Sequence, residues 1–391
     1  MPKKLLHLAL ALPAVLLWTA AGARAAGTAS AAFLRIGWGA RPAAMGEAFT
    51  AAADDVDALY WNPAGLNYVK RLQQTFGHNS WIDGVNTEHA GFALRTGTAA
   101  VIGAGVGFLS TGDIERGNKY GYTEGYYSAS DLALLFSYAR RLKPRLAAGG
   151  NVKIISERIE SASAMAFALD AGAIYEYSQK LKLGVSLRNL GTGITLDKTS
   201  CPLPLGLRAG AALQFRKNIL LTSDISLPFD DSLGIHLGGE YLYPSPVKGV
   251  RLALRAGLKS SAMSYLGAMS AVTLGFGTEA GAVGLDYALS TYGDLGMTHR
   301  LGLKIKFDSL AAKPENAEIT VDKGGKKVKR GAAEVYRETL QWFTGKAASE
   351  KLSRDEQALI LQRIIDKFAP LGVDVSEARQ LLGGGNSAPQ R

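Results

Sequence analysis

The stretch DDVDALYWNPAGL, residues 54–66, sets Asp54, Asp55 and Asp57 almost side by side. Crowded carboxylates first suggest a hard cation, yet the spaced ligands and central glycine of a calcium loop are missing. These carboxylates are therefore expected to be solvated or arginine-paired, facing the interior of the protein. Asn62 before Pro63 reads as a turn and helix start: the Asn amide can bond the backbone two residues on, and Pro63 supplies the fixed φ of a first helical position. Gly65 then lets the chain reverse. From the residues alone this is a structural corner.

The other chemically able residues do not assemble into a catalytic centre. Cys201 is the only cysteine, so no internal disulfide can form, and no Cys/His signature surrounds it. His7, His78, His89, His236 and His299 are too scattered for a metal-ligand spacing. Gly103-Ala104-Gly105-Val106-Gly107 continues into a strand pattern instead of opening a helix, and Gly149-Gly150-Asn151-Val152-Lys153 lacks phosphate-loop spacing. No enzyme, metal site or cofactor is expected.

The elements that position these residues are written in alternation. Leu301, Leu303 and Ile305 share one parity against Gly302, Lys304 and Lys306; period two sends the two sets to opposite faces of a strand. Leu181, Leu183, Val185 and Leu187 oppose Lys182, Gly184, Ser186 and Arg188 in the same way, and Val250, Leu252, Leu254 and Ala256 oppose Arg251, Arg255 and Gly257. A soluble sandwich also alternates. Strands near ten residues, charge on one parity, and aromatics near strand ends (Trp81, Tyr138, Tyr177, Tyr243, Tyr292) favour a membrane barrel, with the aromatics as interfacial belts.

Candidate strands between Gln73 and Phe307 number about fourteen, the even count of single-chain outer-membrane barrels. Long connections at Thr111–Ser128, Gly191–Pro202 and Lys259–Ser270 alternate with tight ones at Thr96–Thr98, Lys143–Arg145, Arg216–Asn218 and Thr278–Ala280. The long ones are expected outside the cell, with the tight turns and both chain ends in the periplasm.

Residues 1–25 read as a secretory signal: Lys3 and Lys4, an apolar run, and Ala23-Arg24-Ala25 at the exit. Losing Lys3, Lys4 and Arg24 lowers the formal charge of +10 by three, and the remaining positive surface matches anionic lipid or sugar headgroups better than nucleic acid. Beyond the signal no apolar run is long enough for a transmembrane helix. Residues 26–72 fit neither strand nor linker, because Phe33, Leu34, Ile36 and Trp38 require burial; Arg41 to Tyr60 reads as helical, and the segment is the available plug for a wide lumen.

After the barrel (73–307), residues 308–330 read as a linker and 331–391 as a periplasmic helical extension. Helices are expected from Ala332 to Gly345, burying Val335, Tyr336, Leu340 and Phe343, and from Ser353, burying Leu359, Ile360, Ile364 and Phe368. Ser353 and Glu356 form a capping box, and a third helix follows Ser376 to Gly383. The expected fold is all-β: an antiparallel transmembrane β-barrel of about fourteen strands with an N-terminal hatch and a small C-terminal helical appendix.

The run GARPAAMGEAFTAAADDVDALYWNPAGL, residues 39–66, closely resembles the N-terminal signature of the PorV/PorQ family, which is similar to the FadL-type transport barrels. That resemblance implies an outer-membrane barrel whose hatch carries the motif Asn62, Pro63 and Ala64, with Tyr60 and Trp61 offering apolar surface for ligand contact. It implies passage of hydrophobic or amphipathic small molecules past the hatch; the alternative is a non-transporting barrel that docks secretion or surface-assembly components. Expected partners are outer-membrane lipid, a hydrophobic small-molecule ligand, and a periplasmic or secretion-machinery protein bound by the C-terminal helices.

Overall fold

The computed structural model describes residues 27–96, 100–196, 198–247, 249–260, 263, 267–307, 318–323, 326–349, 352–369 and 373–383. The signal segment 1–25 lies outside the described residues. Two compact units divide the chain near Ser309.

In the first unit, fourteen antiparallel strands close into a barrel. They are β1 (Leu72–Ser80), β2 (Asn86–Thr96), β3 (Ala100–Ser110), β4 (Ala129–Lys143), β5 (Leu146–Ile159), β6 (Ala162–Glu176), β7 (Leu181–Gly191), β8 (Gly206–Arg216), β9 (Ile219–Pro228), β10 (Gly234–Tyr243), β11 (Val250–Lys259), β12 (Val272–Ala280), β13 (Val283–Thr291) and β14 (Met297–Lys306). Each pairs with its sequence neighbours, and β1 closes on β14 in the register Gln73↔Lys306 to Ser80↔His299. The shortest staves hold 9 residues, which spans a bilayer's hydrocarbon core when tilted.

The faces are inverted relative to a water-soluble protein. Leu301, Phe167 and Phe276 point outward and are 57%, 56% and 55% exposed, while Arg208, Asp224, Lys153 and Arg300 point inward and are buried. In water such a surface would be a large aggregation-prone patch; against lipid it is the stable arrangement. The alternation read from the sequence therefore has its apolar parity outside, and none of the described helices is long and apolar enough to cross a membrane.

The connections sort by end. Residues 111–128 and 192–205 each carry a small hairpin (Ile114–Gly117 with Thr123–Tyr127, and Ile194–Leu196 with Thr199–Cys201), and both lie at the same end as the β11–β12 connection. The opposite end has tight turns at 144–145, 217–218 and 281–282. The last falls beyond Thr278–Ala280 because Ala280 still pairs with Val283.

Tyr138, Tyr177 and Tyr243 are exposed, as residues of such a belt must be. Trp81 and Tyr292 are not. They pack edge to face at 4.8 Å, with Arg300 over the Trp81 ring and the inward Lys259 donating to the Tyr292 hydroxyl at 2.8 Å. Their place at a strand end is right, but the lumenal cations draw both rings inward.

The second unit differs from the linker reading at one place. Glu318–Lys323 and Lys326–Gly331 form a two-stranded hairpin, and the sequence between them is Gly324-Gly325, a dipeptide suited to a tight hairpin turn. Three helices follow at Ala332–Ser349, Arg354–Phe368 and Ser376–Gly383. Ser353 caps the second with a reciprocal Glu356 box, the Ser353 amide donating to Glu356 Oε2 at 2.9 Å, and these bonds hold the Glu356 carboxyl below its usual range.

The core of this unit gathers Val335, Tyr336, Leu340, Phe343, Ile364 and Phe368. Leu359 is exposed and Leu361 takes its place. Leu361, Ile364, Ile365 and Phe368 fall on a 3.6-residue stripe that Leu359 misses by most of a half-turn.

Candidate functional site: the filled lumen

The N-terminal segment runs through the barrel from end to end. Ser30 Oγ donates to Cys201 O at 3.0 Å and the Gly27 amide to Asp230 O at 3.2 Å, both in long-end connections, while Arg35 pairs with Asp230 and Asp231. At the tight-turn end, Arg95 donates to Val69 O at 2.8 Å just before β1 begins. The first described residues thus lie at the end opposite to the one expected for the N-terminus. A segment that fills the lumen and enters β1 from the tight-turn end has its far limb, here Gly27 to Arg35, at the long loops.

The helical reading of Arg41–Tyr60 is only partly realised. Short helices occupy Ala40–Ala44 and Ala58–Trp61, with irregular backbone between. Gly46 and Glu47 both adopt positive φ, 62° and 64°, which suits glycine but strains Glu47. The wall overrides helix propensity by supplying the partners that a helix would have supplied internally.

Asp224 of β9 accepts from the Phe49 and Thr50 amides at 3.0 and 2.9 Å, and Thr273 of β12 accepts from the Gly46 amide and donates to Ala44 O, both at 3.0 Å. Arg208 donates to Glu47 O at 3.0 Å, Asn151 to Leu59 O at 2.8 Å, and Arg300 to Gly37 O at 2.8 Å. Lys259 Nζ lies 3.4 Å from Glu47 Oε1, holding the strained residue from its side chain too.

Close approach is made possible by inward-facing glycines. A Cβ at Gly149 would lie 2.7 Å from Pro63 O, at Gly184 2.6 Å from Thr50 O, at Gly238 2.5 Å from Met45 O, and at Gly107 2.7 Å from the Trp38 ring. At Gly257 it would overlap the backbone of Met45 and Gly46. These strands lie around the barrel, so the lumen is shaped to this segment on several sides at once. The sequence showed glycine on the inner parity; only the assembled barrel gives those positions a common purpose.

Asn62, Pro63 and Ala64 are buried where the segment turns. Asn62 Nδ2 donates to Thr50 O at 2.8 Å, to Ala173 O of β6 at 3.2 Å and to Val185 O of β7 at 3.3 Å; its Oδ1 accepts from the Ala64 amide at 3.2 Å. One side chain therefore joins both limbs of the segment to the wall. Tyr60 and Trp61 are also buried: the Tyr60 hydroxyl donates to Leu34 O at 2.9 Å and Trp61 Nε1 to Trp38 O at 2.8 Å. The guanidinium of Arg188 sits 4.8 Å from the Tyr60 ring centre and that of Arg208 5.0 Å from Trp61, favourable cation–π contacts away from water.

The acidic run is ion-paired. Lys304 of β14 reaches Asp55 at 2.6 Å, Asp57 at 2.9 Å and Asp286 of β13 at 3.5 Å. Arg41 contacts Asp54 at 2.6 Å and Asp55 at 3.5 Å, and grips both oxygens of Glu240 of β10 at 2.8 and 3.0 Å. Arg255 of β11 joins Glu240 to Asp286, 2.7 Å from each. The network forms the floor of a cavity of about 600 Å³ near the tight-turn end, whose lining also includes Tyr68, Lys70 and Lys306. No cluster of three or more His, Cys, Asp or Glu able to hold a metal occurs among the described residues.

The model of the uncharacterised protein family UPF0164 matches residues 14–166, and no curated protein matches the chain. Among solved structures, the CymD monoaromatic hydrocarbon channel is similar at 12% identity and a TM-score of 0.51, covering 70% of this chain and 98% of the channel. That likeness establishes the same fold. The toluene transporter TodX of Pseudomonas putida has a TM-score of 0.48 at 13% identity, over 68% of this chain and 96% of TodX. A FadL homologue of Pseudomonas aeruginosa has one of 0.47 at 9%, over 68% and 98%.

Proposed function

We propose that this chain is an outer-membrane barrel whose N-terminal segment is a hatch, and that movement of the hatch passes hydrophobic or amphipathic small molecules. The observation that carries the reading is a lipid-compatible apolar exterior around a lumen closed by a segment of the same chain, held by hydrogen bonds, ion pairs and apolar packing and by no covalent cross-link among the described residues. The wall's own strand ladder closes without the segment, so the segment can shift without unfolding the wall. The charged cavity favours amphipathic passengers, because a wholly apolar one would have to displace water from Arg41, Asp54 and Lys304 without repaying it.

In this reading the long loops face the outside of the cell and the exposed Tyr120, Tyr122 and Tyr126 collect ligand by their flat apolar faces. The tight turns and the C-terminal unit lie in the periplasm. Withdrawal of the segment is what frees Tyr60 and Trp61 to meet a passenger. The PorV/PorQ assignment is carried by the motif in residues 39–66, and the FadL-type one by the fold. The deciding experiment compares single-channel conductance and binding of a lipid-like ligand for the signal-cleaved chain and for one lacking Phe33–Leu66. A silent intact barrel that conducts after the deletion supports the hatch; silence in both forms, with no ligand bound, rejects it.

A second reading, a docking barrel for secretion or surface assembly, is favoured by the C-terminal unit, which has a hydrophobic core of its own that transport does not require. Removing 308–391 separates the two. Uptake that survives while a co-purifying protein is lost assigns partner binding to this unit.

A further inference from the structure

The two ends of the barrel differ in charge. At the tight-turn end Arg71, Lys143, Arg145 and Lys180 are exposed, with Lys70 and Lys217 at the mouth of the lumenal cavity, while Glu176 and Glu279 of the same end are already engaged, Glu176 by Arg141 at 3.2 Å and Glu279 by Lys306 at 2.8 Å. At the long-loop end the exposed charges among the described residues are mixed, Asp83, Asp113, Glu115, Glu124, Glu160 and Asp294 standing with Arg116, Lys119, Arg158 and Lys198, and Arg116 pairs with Glu160. Beside the cationic rim the outer wall exposes Tyr175, Tyr177, Phe215 and Tyr243, rings suited to the boundary between acyl chains and headgroups.

We infer that the tight-turn rim is a binding surface for anionic phospholipid headgroups of the leaflet that surrounds it. The rim stands where phosphates stand if the aromatic belt sits at the headgroup boundary, and basic residues there gain from the negative potential of an anionic leaflet. The long-loop end, with its mixed charges, offers no comparable basic surface. This inference rests on the membrane-barrel reading.

The test reconstitutes the full signal-cleaved chain in phosphatidylcholine bilayers and measures, by electron spin resonance, the motionally restricted fraction of spin-labelled phosphatidylglycerol against spin-labelled phosphatidylcholine. At low salt phosphatidylglycerol is expected to associate up to roughly fivefold more strongly, the factor for one basic residue acting on one headgroup, and the preference should fall in high salt. The variant carrying Arg71→Gln, Lys143→Gln, Arg145→Gln and Lys180→Gln should lose most of it. A long-end control carrying Glu115→Gln, Glu124→Gln and Asp294→Asn should keep it. Equal association of the two lipids, or a preference that survives the rim variant, overturns the inference, the second even if the variant sheds an acidic protein. A chain that restricts no lipid at all and is extracted by urea sinks the membrane reading and this inference together, whereas equal association sinks the rim alone.

Discussion

Asn62 and Gly172 occupy one space: a Cβ on Gly172 of β6 would overlap Asn62 Oδ1, and the Pro63 ring would lie 3.1 Å away. The turn of the N-terminal segment and the wall of the barrel are therefore fitted to each other at the level of a single methyl group.

Gly172→Ala should force the Asn62 turn off the wall, at about 1–3 kcal/mol, the usual cost of overpacking a filled interior. Urea titration in detergent would show the loss. Limited proteolysis should cut the N-terminal segment faster than in the parent, and an unchanged cleavage rate would mean that the turn is not seated there.

Asn62→Ala removes three donations to backbone carbonyls and leaves Thr50 O, Ala173 O and Val185 O with fewer partners. A loss of roughly 1–3 kcal/mol is expected. Asn62→Asp should be at least as harmful, since a carboxylate would replace a donor facing three carbonyls. If Asp at 62 is neutral by urea titration, the amide orientation is the reverse of that described.

Lys304→Met leaves Asp55, Asp57 and Asp286 facing one another without their common cation. Breaking a buried pair in this way costs about 3–5 kcal/mol. Adding Asp57→Asn should recover part of that loss, because one uncompensated carboxylate is gone. A double-mutant cycle with no coupling between positions 57 and 304 would contradict the 2.9 Å contact.

In the C-terminal unit Leu361→Ala should cost about 2–5 kcal/mol through the cavity it leaves, while Leu359→Ala should change stability by less than about 0.5 kcal/mol as a surface substitution. Protease resistance of this unit in the full chain reads the difference. The opposite ranking would restore the helix face first read from the sequence.

What the sequence by itself determined is the strand grammar. Alternation at Leu301 to Lys306 or Val250 to Gly257 is local, because period two is a property of one strand, and so the fold class, the strand number and the sorting of long and short connections could all be read. The capping box at Ser353 and Glu356 was legible for the same reason: its partners are three residues apart. The hairpin at 318–331 lies in what reads as linker, because its strands pair only with each other and one of them is the charged run Lys326-Lys327-Val328-Lys329-Arg330.

The interior of the barrel was decided only by the tertiary structure. Asp224, Thr273, Arg208, Gly257 and Lys304 have no local feature that pairs them with residues 37–64, which lie more than a hundred positions away in the chain. Their function follows from closure: once β1 meets β14, every inward side chain shares one lumen, and the segment trapped there must find its hydrogen-bond partners in the wall, since a buried backbone group left unpaired is too costly to keep. That requirement unwinds the helix expected between Arg41 and Tyr60, buries Tyr60 and Trp61, and converts the acidic run 54–57 from a suggestion of metal binding into three anchors for Arg41 and Lys304.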